Sequence, residues 1–512
     1  MPAAVAENPK IKATSAIPYT LYFGTFIHTP ELTTSEICFN TLVGVDSRGE
    51  IDYIEKDFEP ADGQSPVEYF KEQKKMSCQP QGGSEIDDEN IVFVDYTSEP
   101  AKFFFPGFID THIHASQFPN IGIGLDTPLL DWLNTYTFPL ELQFSVKDQS
   151  EQEAKFKFAK HVYSKVIQAT LENGTTCASY FTAIDAGTTN LFADLLVEMG
   201  QRGYVGKVCM DHNEPCPAYS ESLETCRKSM DSIISHISKV NPPREHLVEP
   251  IVTPRFAPVC STPMLDYLGE ISARDNLPIQ THISENKQEI ELVAELFPDC
   301  ESYAQVYNKH HLLTKRTILA HAIHLTQKEC DLVAEKQCSI SHCPTSNTFI
   351  SSGEAPVYKY LYQDKINVSL GTDISGGFDV SILAMVKYAI LVSHHLSMKP
   401  AQANGVDCKL SMTDGLYMAT MGGARAVGLA NLVGSFAVGK RFDAQLIDLD
   451  VQGARTDVFS WQVPKSGDLL PVKEKKMEDL LGKWIFSGDD RNCVSVWCNG
   501  RLVIDKRKPT KN

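Results

Sequence analysis

Eight short apolar runs, each followed by a longer amphipathic segment, occupy residues 103–435 and constrain this chain more than anything else in it. The runs are FFFPGFIDTHIH, GTTCASYFT, YVGKVCMD, EPIVTPRF, LPIQTHIS, RTILAHAI, QCSISHC and INVSLGTD. A strand followed by a helix, repeated eight times over roughly 330 residues, predicts a TIM-like (β/α)8 barrel with insertions, since the bare barrel needs about 250. Before it, YTLYFGTFIHT and ICFNTLVGVDSRGEIDYI alternate apolar and polar positions across 18–57, and IVFVDYT follows; these read as short antiparallel strands. Residues 58–91 are charged and rich in Gly, Pro and Gln, which predicts a solvated, mobile insertion. After the helical pattern MTDGLYMATMGGARAVGL, strands return as FDAQLIDLD and VSVWCNGRLVIDK. The expected architecture is α/β: a barrel over 103–435, and a small β-sandwich domain built jointly from 1–102 and 436–512.

Composition narrows the function. At 512 residues the chain is long enough for one large domain and a smaller one. With 47 basic and 65 acidic residues the net charge is −18, which argues against broad contact with nucleic acid or an anionic membrane. No run of about eighteen apolar residues offers a membrane span, and the first twenty residues hold no signal-peptide core. The 14 cysteines are scattered without a C-x-x-C pair and read as reduced thiols of a cytoplasmic protein.

Candidate metal ligands fall at the C-terminal ends of the predicted barrel strands, where barrel enzymes build their active sites. His112 and His114 alternate on one strand, so both imidazoles face one side; two hydrogen-bonded core histidines would give the same pattern. His282 ends LPIQTHIS, and Glu285 lies three residues on, placed for acid/base work beside a metal-bound water. Asp373 ends INVSLGTD, as a ligand or as a cap for the next helix. His321 ends RTILAHAI, as a base near the water or an oriented polar group; His324 and His342 read as structural. Three imidazoles and a carboxylate suit Zn²⁺, although Fe²⁺ or Mn²⁺ fits the same set. Such an ion lowers the pKa of its water towards ~7. Asp373 or His321 would take the proton, and Glu285 would give one to a ring nitrogen so that an adjacent carbon accepts the attack and ammonia leaves.

PGFIDTHIHASQ (106–117), TPRF (253–256), THISEN (281–286), LAHAIHL (319–325), ISHCPTSN (340–347) and GTDISGG (371–377) resemble the barrel motifs of metal-dependent aminohydrolases. The likeness continues through ATMGGARAVGL and VGKRFDAQLID and covers nearly everything except 58–91. PGFIDTHIHASQ, TPRF and THISEN, with LLDWLNTYTFPLE (129–141) and GKVCMD (206–211), are similar to guanine deaminases in particular. The resemblance implies hydrolysis of guanine to xanthine and ammonia by a cytoplasmic homodimer. It implies that His112, His114, His282 and Asp373 hold zinc, with Glu285, Asp373 and His321 as the proton carriers. It implies that Gln117, Arg255 and Phe256 meet the purine together with His114, His282, Glu285 and Asp373. No lysine ends TPRF, where two-metal members carry one, so a single zinc per chain is expected.

Independently of the resemblance, guanine presents O6 and N7 as paired acceptors suited to an arginine fork such as Arg255. Gln117 can both donate and accept along a ring edge. Trp132 could close over the purine or simply fill the core. His212-Asn213-Glu214-Pro215-Cys216 imitates the H-x-E…P-C-x-x-C signature of a second zinc deaminase fold, but its halves are fused and position 219 is Tyr, so a loop is expected there. The remaining alternatives are a deaminase or dechlorinase of triazines, adenosine-type substrates or cytosine, and a non-catalytic relative serving as a structural or binding protein, which would typically lose metal ligands that are all present here.

Overall fold

The eight apolar runs form eight parallel strands: β1 (Phe108–His114), β2 (Thr175–Phe181), β3 (Arg202–Gly206, resuming at Val208–Cys209), β4 (Val248–Pro250, resuming at Thr253–Pro254), β5 (Ile279–Ile283), β6 (Thr317–His321), β7 (Ser339–His342) and β8 (Asn367–Leu370). The computed structural model describes residues 17–59, 64–77, 91–124, 126–146, 148–241, 247–399 and 408–507. Neighbours pair in order from β1 to β4 and from β5 to β8. A bridge between Val252 and Ile279 joins the two halves. The ring closes just past the end of β8, where the Asp373 N–H donates to the His112 carbonyl (2.8 Å) and the His114 N–H to the Ile374 carbonyl (3.1 Å). The same bonds that close the barrel therefore fix three of the residues singled out from sequence. Asp110 reinforces the seam by accepting from the His112 N–H and from the Thr372 N–H and hydroxyl. The (β/α) expectation is met.

The break in β4 has a local cause. Pro250 and Pro254 carry no N–H for the ladder, so β4 pairs in two short pieces. Every residue of β1 and β2 is buried, as expected for parallel strands covered by helices outside and side chains inside. Below the mouth of the barrel the interior is polar and paired: Thr111 Oγ1 lies 2.7 Å from Ser341 Oγ and 2.8 Å from Ser369 Oγ, and Ser179 donates to Gln280 (2.7 Å).

Both chain ends contribute to one eight-stranded sheet, ordered Arg501–Asp505, Cys493–Cys498, Ala444–Asp448, Lys102–Pro106, Thr20–Glu31, Thr34–Val45, Ile51–Glu55, with Val92–Asp95 also pairing with Thr20–Glu31. Asn499-Gly500, both at positive φ, makes the two-residue turn between the first two of these strands. On Thr20–Glu31, Tyr22 and Phe26 face one side and pack with Phe104, Phe442 and Trp497. Leu21 and Phe23 face the other side with Phe58 and Phe70. The expected joining of the two ends is present, but as a continuous hydrogen-bonded sheet.

The expected mobile insertion needs correction. Its residues Pro66–Ser77 form a helix, and Phe70 is fully buried against Leu21, Phe23 and Leu42 of the sheet. Residues 60–63 and 78–90 of that insertion lie outside the described residues. A further helix, Leu470–Ser487, seats Trp484 among Phe103, Phe105 and Phe108, tying the C-terminal segment to the start of the barrel. Among the described residues no helix is long and apolar enough to cross a membrane.

Candidate active site

The strand ends bring the expected residues to one place. His112 Nε2 lies 3.1 Å, and His114 Nε2 3.3 Å, from Asp373 Oδ1. His114 Nε2 is 3.2 Å from His282 Nε2. His321 Nε2 is 3.5 Å from Glu285 and 3.8 Å from Asp373 Oδ2. One ligand atom from each of His112, His282, His321 and Asp373 lies within 4.8 Å of the others. That tight group includes His321, which was expected as a base, and leaves out His114, which was expected as a ligand. His114 nonetheless abuts both Asp373 and His282, so all five donors share one spot.

Their orientation is built in. His282 Nδ1 donates to the Arg255 carbonyl at 2.6 Å, and His321 Nδ1 to Asn347 Oδ1 at 2.8 Å, which leaves both Nε2 lone pairs facing the cluster. Ser284, His321, Ala322 and Asp373 all have positive φ, a conformation costing roughly 1–3 kcal/mol at a non-glycine residue and concentrated at functional sites. Gly371 is required by crowding: a Cβ there would stand 2.6 Å from Ser341 Oγ and 2.7 Å from the His112 Cβ.

Electrostatics divide the roles. Burial lowers the pKa of His112, and with the neighbouring His112 and His114 drives that of His282 well down, which favours in both the neutral form that can ligate. Burial likewise takes His321 down to about 4. Burial opposes ionisation of Asp373, but His112, His114 and His321 outweigh it and hold that carboxyl well below the usual range. Glu285 goes the other way: burial first, then the charges of Asp373 and Glu289, push it well above the usual range. Two carboxyls in one pocket are thus pushed in opposite directions, the pattern that marks an acid/base pair.

A pocket of about 410 Å³ of empty space is lined by His114, Gln117, Arg255, Phe256, His282, Glu285, His321 and Asp373, with Leu129, Trp132, Leu133, Ile350 and Gly376 completing it. Each expected substrate-binding residue is a wall of it, and so is Trp132. His324 donates to the Ser352 carbonyl, and His342 is fully buried off the pocket. HNEPC forms a loop after β3, as expected, with His212 exposed. The buried Lys207 is held by Glu221 and the Val208 carbonyl.

Three residues of the site were not anticipated. Glu289 accepts from the backbone N–H of Glu285 (2.8 Å) and Asn286 (3.1 Å), fixing the turn that carries Glu285; the capping-box spacing Asn286-x-x-Glu289 was the available signal. Asn347 holds His321. Fully buried Glu141 accepts from Ser116, Gln117 and Arg255. Neither of the latter two has a periodicity that announces it.

The model of the amidohydrolase family matches residues 103–503. A probable guanine deaminase of Schizosaccharomyces pombe is 43% identical over 94% of this chain and 83% of its own length. The guanine deaminase of Homo sapiens is 36% identical over 94% of this chain and 96% of its own. The chain belongs to the amidohydrolase family, in its guanine deaminase branch. A crystal structure of guanine deaminase from C. acetobutylicum with bound guanine in the active site superimposes with a TM-score of 0.76 at 31% identity, covering 94% of this chain and 99% of that one. Solved structures with the same fold include an adenosine deaminase from Xanthomonas campestris with bound zinc, at 19% identity and a TM-score of 0.72.

Proposed function

We propose that this amidohydrolase is a guanine deaminase that converts guanine to xanthine and ammonia with one zinc per chain. The observation that carries this is the union, in one pocket, of a buried His/Asp cluster, a buried Glu285 beside it and a polar wall of Arg255 and Gln117. The donor set fits the ion: His112 Nε2 and His321 Nε2 are buried and make no hydrogen bond, and neutral imidazoles with a carboxylate are zinc donors. We assign the metal to His112, His114, His282 and Asp373, and leave His321 beside it. Zinc bound there would supply an activated water.

The remaining steps belong to the side chains. His321 Nε2, kept free by Asn347, and Asp373 Oδ2, turned towards His321, are the two acceptors for the water's proton. Glu285 carries the proton that a purine ring nitrogen needs, and Glu289 keeps its backbone in place. Arg255 and Gln117 orient the ring through its O6 and N7 acceptors, while Phe256 and Trp132 shut out water from the sides. We divide the chain into a barrel over 103–435 and a small domain from both ends, a sandwich if the sheet folds over its Tyr22 cluster. The reading includes a homodimer, carried over from the family. It also includes a cytoplasmic location, which the thirteen described free cysteines support.

Ammonia release from guanine, adenine, cytosine and a triazine, measured in parallel on the purified protein, tests the substrate. Release from guanine, with xanthine as product, is expected to exceed the others by at least about a hundredfold, as unpaired buried polar groups demand. Comparable release from a triazine or adenine would end the guanine assignment.

A further inference from the structure

We infer that Glu141, which lies behind the pocket wall, is a positioning residue that makes this site select a 6-oxo purine over its 6-amino counterpart. The inference rests on the deaminase reading and adds to it the origin of ring selectivity. Glu141 is fully buried, and its two oxygens are used separately. Oε1 accepts from Ser116 Oγ (3.2 Å) and Gln117 Nε2 (3.0 Å), while Oε2 accepts from Arg255 Nη1 (2.5 Å). One carboxylate therefore holds both polar residues of the pocket wall in register.

The rest of the wall is arranged around that carboxylate. Phe138, three residues earlier on the same short helix, places its ring 5.0 Å from the Arg255 guanidinium carbon. Gln117 Oε1 accepts from the Ser375 N–H at 3.2 Å, so the amide is pinned at both ends and cannot flip. Among the described residues, Arg255 spends one side-chain nitrogen on Glu141, and its other N–H groups meet no acceptor. A five-donor fork anchored at one corner and lining the pocket presents donors only. Such a wall matches the O6 and N7 acceptors of guanine and opposes an amino group at position 6. The anchor must be a carboxylate. Every partner of Glu141 is a donor, so an amide in its place would set an N–H against an N–H and free either Arg255 or Gln117.

Glu141→Gln tests this on the zinc-loaded enzyme, with kinetics on guanine and on 2,6-diaminopurine and with zinc content as a control. The expected result is unchanged zinc and a guanine KM raised roughly tenfold or more with a smaller loss in kcat. The guanine-to-diaminopurine ratio of kcat/KM should fall by at least about tenfold, a charge-assisted contact being exchanged for a mismatch. Glu141→Asp, which keeps the charge, should recover part of that ratio, and it decides the matter if the Gln variant does not fold. A ratio that stays at the wild-type value in both variants, even with activity reduced on both substrates, would mean Glu141 is structural only and overturn the inference. A wild-type chain inactive on guanine would instead sink the deaminase reading itself, and this inference with it.

Discussion

Glu285→Gln should lower kcat on guanine by about 10²–10⁴-fold while the protein retains its full zinc content. The two halves of that expectation come from different parts of the structure. Glutamine matches glutamate in shape, and the backbone at 285 is held by Glu289 rather than by its own side chain, so the site should not collapse. What disappears is a transferable proton. Burial, Asp373 and Glu289 raise the Glu285 carboxyl well above the ordinary range, so the folded enzyme holds that proton at pH values where a free carboxyl has lost it. The sign of the pH dependence follows: as pH rises through the folded pKa, Glu285 gives up the proton that the ring nitrogen needs, and kcat falls. In the Gln variant that alkaline limb should be absent from the residual rate. Zinc analysis and a kcat profile against pH check both halves. Loss of zinc from the variant would make Glu285 a ligand instead.

His282→Ala should abolish both metal binding and turnover. His282 is fixed by its 2.6 Å bond to the Arg255 carbonyl, and its Nε2 sits in the tight donor group with His112, His321 and Asp373. Removing it takes away a preoriented neutral imidazole and detaches the strand end that carries Arg255 from the cluster. Zinc should fall below about a tenth of the wild-type content, and activity with it. The variant should also lose the stabilisation that zinc gives the wild type by binding only the folded chain, about 4 kcal/mol at a thousandfold excess over Kd. Thermal melting of both proteins with and without added zinc reads this directly. A variant that still melts higher with zinc would show that His321 and the other donors suffice without His282.

Much of the fold was open to inspection in the sequence because barrel strands write themselves as apolar runs, and the ligands end those runs. His112, His114, His282, Glu285, His321 and Asp373 could be placed by their position relative to strand ends alone. The helix Pro66–Ser77 was hidden because its polar and charged composition resembles a loop; only Phe70, Tyr69 and Val67 betray an apolar face, and the Gly- and Gln-rich flank masks it. Alternation in the chain ends gave the faces of the strands, but how the sheet is covered depends on ring packing between segments far apart in sequence, such as Tyr22 with Phe442 and Trp497. Glu141 closes the motif LLDWLNTYTFPLE, but its role was illegible for a similar reason. It sits in an insertion after β1, and its partners Gln117 and Arg255 meet it only in three dimensions. Glu289 is the exception, since its capping box was readable beside THISEN.

The most direct test of the metal-dependent chemistry is a titration. The protein is stripped with a chelator, dialysed, and given zinc in steps while xanthine formation from guanine is followed. Activity should be absent at the start, rise linearly and level off at one zinc per chain. Full activity in the stripped protein, or none at any zinc concentration, would contradict a guanine deaminase built on His112, His114, His282 and Asp373.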